Sequence, residues 1–132
     1  MYSISKTFIF CYGHRLLKDD GKCRNLHGHT AKAAVTISSG KLDELGMVVH
    51  FEKLKETIGA WISENLDHNM LLSKDDPLAA HLEKTGERHF KMEDNPTAEN
   101  IARLIHDKAK EFGLSVSMVE VFESETSVAR FF

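Results

Sequence analysis

Three histidines and one cysteine stand close together near the start of the chain. His14, Cys23, His27 and His29 fall within sixteen residues. His27 and His29 are two residues apart, so in an extended strand both side chains point to the same side. With His14 arriving from upstream, this spacing predicts a three-nitrogen metal site of the kind that holds Zn²⁺ and leaves one coordination position open.

Two alternatives to an open metal site remain for these residues. The histidines can be unrelated imidazoles, since the chain contains eight of them. They can also form a closed structural site with Cys23 as the fourth ligand, which would stabilise a small fold outright. The open site is favoured because structural zinc more often uses several cysteines.

Candidate acid–base groups follow from residue types and neighbours. Cys23 stands between Lys22 and Arg24, and cationic neighbours make a thiol a candidate base or nucleophile. Asp67 and His68 are adjacent, and a carboxylate beside an imidazole can orient it for proton transfer. A simple helix end, with the imidazole near the negative pole of the helix, is the structural alternative for this pair.

Carboxylates near the C-terminus form a second candidate group. Glu123 and Glu125 follow an apolar segment. A buried carboxylate there can accept two N–H donors at once, from an arginine or from a guanidine-like heterocycle; solvated turn residues are the alternative. Cys11, which lies inside the first apolar segment, is interpreted as structural.

Composition bounds the class of protein. At 132 residues and a net charge of −3, the chain is expected to form one domain, residues 1–132, with no general nucleic-acid or membrane surface. Attraction of a polyanion would have to be local, through cations near the histidines: Arg15, Lys18, Lys22 and Arg24. Two cysteines, no apolar run of 18 residues and no leader-like start favour a reduced, cytoplasmic protein.

Periodicity places these groups on an α+β framework. Alternation predicts a strand over 2–12, and a long connection over 13–28 carries most of the candidate ligands. The remaining predictions are a strand over 29–38, a helix over 51–66, a loop over 73–94 with at most one helical turn near 78–82, a helix opened by residues 95–97 and ended by Gly113, and strands over 115–122 and 126–132. The order ββααββ indicates an antiparallel four-stranded sheet with two helices on one face. Its open, aromatic-rich edges favour pairing with other subunits.

Taken together, the motifs resemble those of the 6-pyruvoyl-tetrahydropterin synthase superfamily. The matching segments, in the order of that family, are residues 10–16, 23–29, 46–51, 66–69, 95–100 and 121–127. Within the superfamily the chain is most similar to the bacterial 6-carboxytetrahydropterin synthases of the queuosine (7-deazapurine) pathway. The position of Cys23, four residues before His27, is the spacing found in that subgroup.

The resemblance implies a T-fold subunit whose sheets join across subunits into a barrel, as a trimer or a hexamer of two trimers. It implies lyase activity on 7,8-dihydroneopterin triphosphate, a small-molecule substrate. It also implies zinc on His14, His27 and His29, with Cys23 as base and Asp67 and His68 as proton relay. The same resemblance implies that Glu123 and Thr97 bind the substrate, with Glu123 as the anchor of the pterin. The open alternatives are the pyruvoyl-forming reaction, a non-catalytic pterin binder and a structural or storage zinc protein.

Two positions depart from the family pattern. His50 stands where an aspartate is usual before the first helix, and histidine is the poorer helix cap. Glu125 replaces a common proline, which is expected to loosen the turn that holds Glu123.

Overall fold

All 132 residues are described by a computed structural model of the chain. The strands are β1 (Tyr2–His14), β2 (His27–Ser39), β3 (Asn69–Ser73), β4 (Phe90–Met92), β5 (Val116–Phe122) and β6 (Val128–Phe131). The helices are α1 (Phe51–Leu54), α2 (Ala60–Asn65), α3 (Pro77–Thr85) and α4 (Ala98–Glu111). A π-helical turn, Lys55–Gly59, joins α1 to α2, and a short 3₁₀ turn, Lys22–Arg24, lies between β1 and β2.

One mixed sheet holds all six strands in the order β4-β3-β1-β2-β5-β6. β1, β2, β5 and β6 pair antiparallel, as predicted. β3 and β4 are additional, and they pair parallel, β3 with β1 and β4 with β3. The prediction of a four-stranded antiparallel sheet is therefore wrong at this edge. The reason is length: β3 has five residues and β4 has three, which is too short for periodicity to separate strand from loop.

The segment over 73–94 is ordered rather than a loop, and it adds a further helix, α3. Asp76 caps α3, because its side chain accepts a hydrogen bond from the N–H of Leu78 at 2.8 Å. Pro77 occupies the first helical position, and Gly86 ends the helix with φ 75°. These are ordinary helix boundary residues, but the helix between them has a weak apolar stripe, with only Ala79 buried.

Gly59 allows the first long helix to lie close to β1. α1, the π-helical turn and α2 form one continuous helix over nearly the predicted span. A Cβ atom at Gly59 would lie 2.5 Å from Cε1 of Phe8, a contact too short to be tolerated. The glycine thus permits the close approach of helix and strand, and the π-helical turn ends at this residue.

The core lies between the long helices and one face of the sheet. Apolar side chains of the continuous helix and of α4 pack among those of β1, β2 and β5. The fully buried helix residues that recur at helical spacing are Leu54, Ile58, Ile62, Ile101, Ile105 and Ala109. This arrangement confirms the predicted apolar stripes. None of the helices combines the length and apolar character that crossing a bilayer requires.

The hairpin of β1 and β2 positions the candidate site at its open end. The two strands pair in register from Tyr2 opposite Ser39 to His14 opposite His27. β1 runs two residues further than predicted and β2 begins two residues earlier, so the loop between them spans residues 15–26. The candidate ligands therefore lie in regular strand, where rotation of the backbone is restricted.

Candidate metal centre and active site

Strand register places the three histidines on one face of the hairpin. His14 and His27 are paired directly across β1 and β2, and His29 is paired with Tyr12. Because side chains alternate along a strand, positions 27 and 29 share a face, as do positions 12 and 14. The ring centroids lie 4.5, 5.0 and 5.1 Å apart. The structure therefore brings together all three predicted ligands.

Two of these rings are oriented by backbone carbonyl groups. Nδ1 of His14 lies 2.7 Å from the carbonyl oxygen of Pro96, and Nδ1 of His27 lies 2.7 Å from that of Asn25. A carbonyl oxygen only accepts, so each Nδ1 carries the proton and each Nε2 keeps a free lone pair. This neutral tautomer is the one that binds metal through Nε2.

The free nitrogens converge on one point. Nε2 of His14 lies 3.0 Å from Nε2 of His27 and 3.2 Å from Nε2 of His29. Lone pairs that face each other at this distance repel, and a cation between them removes the repulsion. Nitrogens bound at about 2.0–2.1 Å to one tetrahedral zinc ion would lie about 3.3 Å apart. The donor set therefore fits Zn²⁺.

Burial favours the neutral form of the innermost ligand. His14 is 2% exposed, and this burial lowers its pKa below the ordinary value of 6.5. The neighbouring His27 and His29 lower the pKa further. Metal binding requires the unprotonated nitrogen. The environment of His14 is thus prepared for a ligand role.

Glu123 lies beside the histidine cluster. Its Oε1 is 3.5 Å from Nε2 of His29. The turn that follows β5 is closed by a hydrogen bond from the N–H of Glu123 to the carbonyl oxygen of Ser127 at 3.1 Å. Although Glu125 stands within this turn, Glu123 is held at the site, so the expected loosening does not displace it.

Tyr12 is a further residue of the site that the sequence did not reveal. Its ring centroid is 5.0 Å from that of His14 and 5.7 Å from that of His29. Burial, together with the facing carboxylate of Glu123, raises the pKa of the Tyr12 phenol well above its ordinary value of 10.0. The hydroxyl therefore keeps its proton, and it has no hydrogen-bond partner in the protein.

Cys23 lies on one side of the cluster. It is exposed and lines a cavity of about 360 Å³ together with His14, Thr97 and Glu123. The converging ligand atoms belong to the histidines without Cys23, so the arrangement is that of an open site with a nearby thiol. Thr97 caps α4, since its Oγ1 accepts a hydrogen bond from the N–H of Asn100 at 3.2 Å.

Asp67 and His68 form the predicted pair and are fixed to β1 by its backbone. Nδ1 of His68 lies 2.9 Å from Oδ2 of Asp67. Oδ1 of Asp67 accepts a hydrogen bond from the N–H of Cys11 at 2.8 Å, and the N–H of His68 donates to the carbonyl oxygen of Cys11 at 2.6 Å. The hydrogen bond from Cys11 lowers the pKa of Asp67 below its ordinary 3.8, and His68 lowers it further.

The pair and Cys23 lie in different cavities of one chain. His68 lines a cavity of about 760 Å³ together with His27 and His29. Cys23 lines the smaller cavity, into which His14 projects. The histidine cluster therefore borders both cavities, but a single chain does not place the predicted base and the predicted proton relay in one cleft.

The cations near the histidines have different surroundings. Nε and Nη2 of Arg15 donate to the two carboxylate oxygens of Asp76 at 2.8 and 2.6 Å. This guanidinium lowers the pKa of Asp76 below 3.8, and it ties the loop over 15–26 to α3. Arg15 is thus committed to the fold, whereas Lys22 and Arg24 are exposed.

Further residues of the site had weak or no sequence signals. Tyr12 has the same parity as His14 in β1, which was a usable signal. Cys11, interpreted as structural, lines the larger cavity and holds the Asp67 carboxylate through its backbone. Arg88 also lines that cavity and belongs to the segment that has no clear pattern. Glu99 lines the smaller one.

Fold and site together define a class: a small α+β protein in which three histidines that could hold a metal ion lie between two cavities. The family described as 6-pyruvoyl tetrahydropterin synthase matches this sequence over residues 3–132. The chain belongs to that family.

Similar sequences carry the narrower name 6-carboxy-5,6,7,8-tetrahydropterin synthase. The protein of that name from Haemophilus influenzae is 36% identical over 140 residues, with 99% of each chain covered. The one from Rickettsia typhi is 40% identical over 114 residues, covering 85% of this chain and 81% of the relative. The one from Synechocystis sp. is 36% identical over 137 residues and covers 100% of this chain and 94% of the relative.

Solved structures confirm the architecture. An uncharacterised protein from Wolinella succinogenes superposes with a TM-score of 0.82 at 29% identity, covering 99% of this chain and 97% of the other. The 6-pyruvoyl tetrahydropterin synthase of Caenorhabditis elegans superposes with a TM-score of 0.73 at 22% identity, covering 98% and 94%. At that identity the second comparison establishes the shared fold, the predicted T-fold subunit.

Proposed function

We propose that this chain is a zinc-dependent 6-carboxytetrahydropterin synthase. The proposed reaction converts 7,8-dihydroneopterin triphosphate and one water molecule into 6-carboxy-5,6,7,8-tetrahydropterin, acetaldehyde and triphosphate, in the cytoplasmic pathway to 7-deazapurines such as queuosine. The observation that carries the proposal is the convergence of three imidazole Nε2 atoms beside two cavities. The relatives that bear the carboxytetrahydropterin name support the choice of product.

In this proposal Zn²⁺ is held by His14, His27 and His29. Three neutral imidazoles leave one position of a tetrahedral ion free. The bound ion would polarise the side-chain hydroxyls of the substrate and stabilise the negative charge that develops on oxygen. The carbonyl groups of Asn25 and Pro96 keep two of the rings in the tautomer that this role requires.

Glu123 is the proposed anchor for the pterin ring. A carboxylate can accept two N–H bonds at once, here from the 2-amino group and N3 of the ring. Glu123 shares its cavity with Cys23 and Thr97. Backbone groups at the start of α4, next to Thr97, would contact the same ring.

Cys23 and the Asp67–His68 pair divide the proton transfers. Cys23 removes a proton from the substrate side chain, and His68, oriented by Asp67, returns protons elsewhere on the same side chain. Triphosphate then leaves by elimination. One water molecule adds to the side-chain carbonyl next to the ring, and cleavage of the adjoining carbon–carbon bond releases acetaldehyde and leaves the carboxylate. The change in oxidation state stays within the substrate, so the proposed reaction uses no redox cofactor.

A second copy of the chain completes the site in this proposal. Within one chain Cys23 and His68 line different cavities, so proton transfers to a single substrate require a neighbour. β4 and β6 are the edge strands of the sheet, and edge strands offer unpaired backbone groups to other chains. We therefore propose a homo-oligomer, a trimer or a hexamer of two trimers, in which the sheets join into a barrel.

Product analysis tests the proposed reaction. Zinc-loaded protein incubated with 7,8-dihydroneopterin triphosphate should yield acetaldehyde and the 6-carboxy product by mass spectrometry, and Cys23→Ala should retain zinc but lose turnover. Formation of the pyruvoyl product instead would assign the chain to the branch without carbon–carbon cleavage. Pterin binding without turnover, and without an effect of Cys23→Ala, would identify a non-catalytic binder.

Subunit mixing tests the shared site. Cys23→Ala and His68→Ala should each be inactive alone, since each removes one proposed proton-transfer group from every site. If the two groups come from different chains, co-refolding the two variants should restore part of the activity, because some interfaces then combine the intact groups. A mixture that stays inactive, although mass photometry shows mixed oligomers, would refute the shared arrangement.

A further inference from the structure

The hydroxyl of Tyr12 is a buried polar group that the fold leaves without a partner. Tyr12 is 3% exposed, and no protein atom forms a hydrogen bond with its hydroxyl. Buried polar side chains are nearly always hydrogen-bonded, because burial separates them from water. A phenylalanine would fill the same space without this penalty, so the hydroxyl needs a role beyond packing.

The Glu123 carboxylate is a candidate acceptor close to Tyr12. The Tyr12 ring packs edge-on against His14 and lies opposite His29 across the hairpin. The Glu123 carboxylate lies 3.5 Å from Nε2 of His29, so the Tyr12 ring and this carboxylate lie beside the same histidine. The negative charge of Glu123 also contributes to the raised pKa of the Tyr12 phenol. The carboxylate is thus flanked by the histidine nitrogens and by the phenol.

Glu123 at this position has two competing partners. Carboxylate oxygens are common zinc ligands, so a metal held by the histidines would attract it. A carboxylate bound to the metal would fill the open coordination position, and it would no longer be free to accept N–H groups from a ring. A hydrogen-bond donor next to the cluster opposes that movement.

We propose that Tyr12 is a positioning residue: when zinc occupies the three-histidine site, its hydroxyl donates a hydrogen bond to Glu123 and holds this carboxylate off the metal. Glu123 then stays free to accept the two N–H groups of an aminopyrimidine ring. The identity of that ring rests on the proposed function, whereas the pairing of Tyr12 with Glu123 can be tested with zinc alone.

Zinc affinity, measured by competition with a chelator, is the first test. Tyr12→Phe should bind zinc about tenfold more tightly, about 1.4 kcal/mol, because Glu123 becomes free to act as a ligand. In a Glu123→Gln background the same substitution should have no effect. Tyr2→Phe, at an exposed tyrosine at the start of β1, is the matched control. The metal-free Tyr12→Phe protein should melt no lower than the parent, since the substitution breaks no hydrogen bond of the fold.

Binding of 7,8-dihydroneopterin to the zinc-loaded protein, measured by fluorescence titration, is the second test. Tyr12→Phe should weaken it about tenfold, the size expected for a charge-assisted hydrogen bond. Unchanged zinc affinity in Tyr12→Phe would overturn the inference, as would an effect that persists in the Glu123→Gln background or a lower melting temperature. A parent protein that binds no pterin would refute the proposed function, while the zinc comparison would still decide the role of Tyr12.

Discussion

Replacement of Asp67 by asparagine should stop the proposed proton relay and leave the fold nearly intact. Asp67 holds two neighbours: Oδ1 accepts from the N–H of Cys11 at 2.8 Å, and Oδ2 lies 2.9 Å from Nδ1 of His68. Asparagine has almost the same shape, but one of its two terminal atoms is an NH₂ group, which only donates. The two neighbours therefore make different demands on the new side chain.

The N–H of Cys11 decides how the amide turns. With the amide oxygen toward Cys11 this hydrogen bond survives, whereas the NH₂ group in that place would leave two donors facing each other, at a cost of about 1–3 kcal/mol. The NH₂ group then faces Nδ1 of His68, which must become an acceptor, so the imidazole proton moves to Nε2. Because the ring is then in the wrong tautomer, kcat should fall about 10²–10⁴-fold.

Kinetics and unfolding together test this reasoning. The free energy of unfolding in urea should fall by only about 0.5–1.5 kcal/mol, since both contacts of Asp67 persist and change from charge-assisted to neutral. Asp75→Asn, the same change at an exposed carboxylate, should alter neither quantity. An Asp67→Asn enzyme that releases triphosphate at the parental rate would refute the assigned orientation, and a much larger loss of stability would show that Asp67 serves the fold.

Three further predictions concern stability. Asp76→Ala should lower the free energy of unfolding in urea by about 2–4 kcal/mol, because it removes the α3 cap and leaves Arg15 unpaired. Since the pKa of Asp76 in the folded protein is lowered from 3.8, its stabilising contribution is present above pH 3.8 and is lost as the pH falls toward that lowered pKa. Acid unfolding followed by circular dichroism should show this acid-induced loss of stability in the parent and not in Asp76→Ala. His50→Asp should stabilise the fold by about 0.5–1 kcal/mol and so raise the melting temperature, because His50 forms no side-chain cap hydrogen bond to α1. A lower melting temperature would contradict this. Removal of zinc with a chelator should lower the melting temperature of the loaded parent by linkage and should have no effect on His27→Ala.

The positions of the three candidate metal ligands could be predicted from the sequence because they depend on local geometry. The two-residue spacing of His27 and His29 determines their common face once β2 reaches them. The pairing of His14 opposite His27 needs the register of a long hairpin, which the alternation in β1 suggests but does not define. Conversely, β3 and β4 are short, and each depends on pairing with a neighbouring strand, β3 with β1 and β4 with β3, so no local pattern could reveal them.

The residues that were missed depend on contacts between distant segments. Tyr12 is significant because Glu123, which is more than one hundred positions away along the chain, lies beside the same histidine, His29. The separation of Cys23 from His68 depends on the path of the loop over 15–26, which a two-hydrogen-bond contact between Leu17 and Asn95 holds in place. Motif resemblance identified the family, but it carries no information on such contacts particular to this chain.

His68 has a backbone φ of 55°, a left-handed conformation that glycine adopts without strain and that costs most residue types about 1–2 kcal/mol. The chain therefore carries an imidazole side chain at a position where glycine would remove the backbone strain. A laboratory selection for heat resistance alone would drift toward glycine at this position and discard the ring. Backbone stability and the proposed proton transfer therefore favour different residue types at this one position.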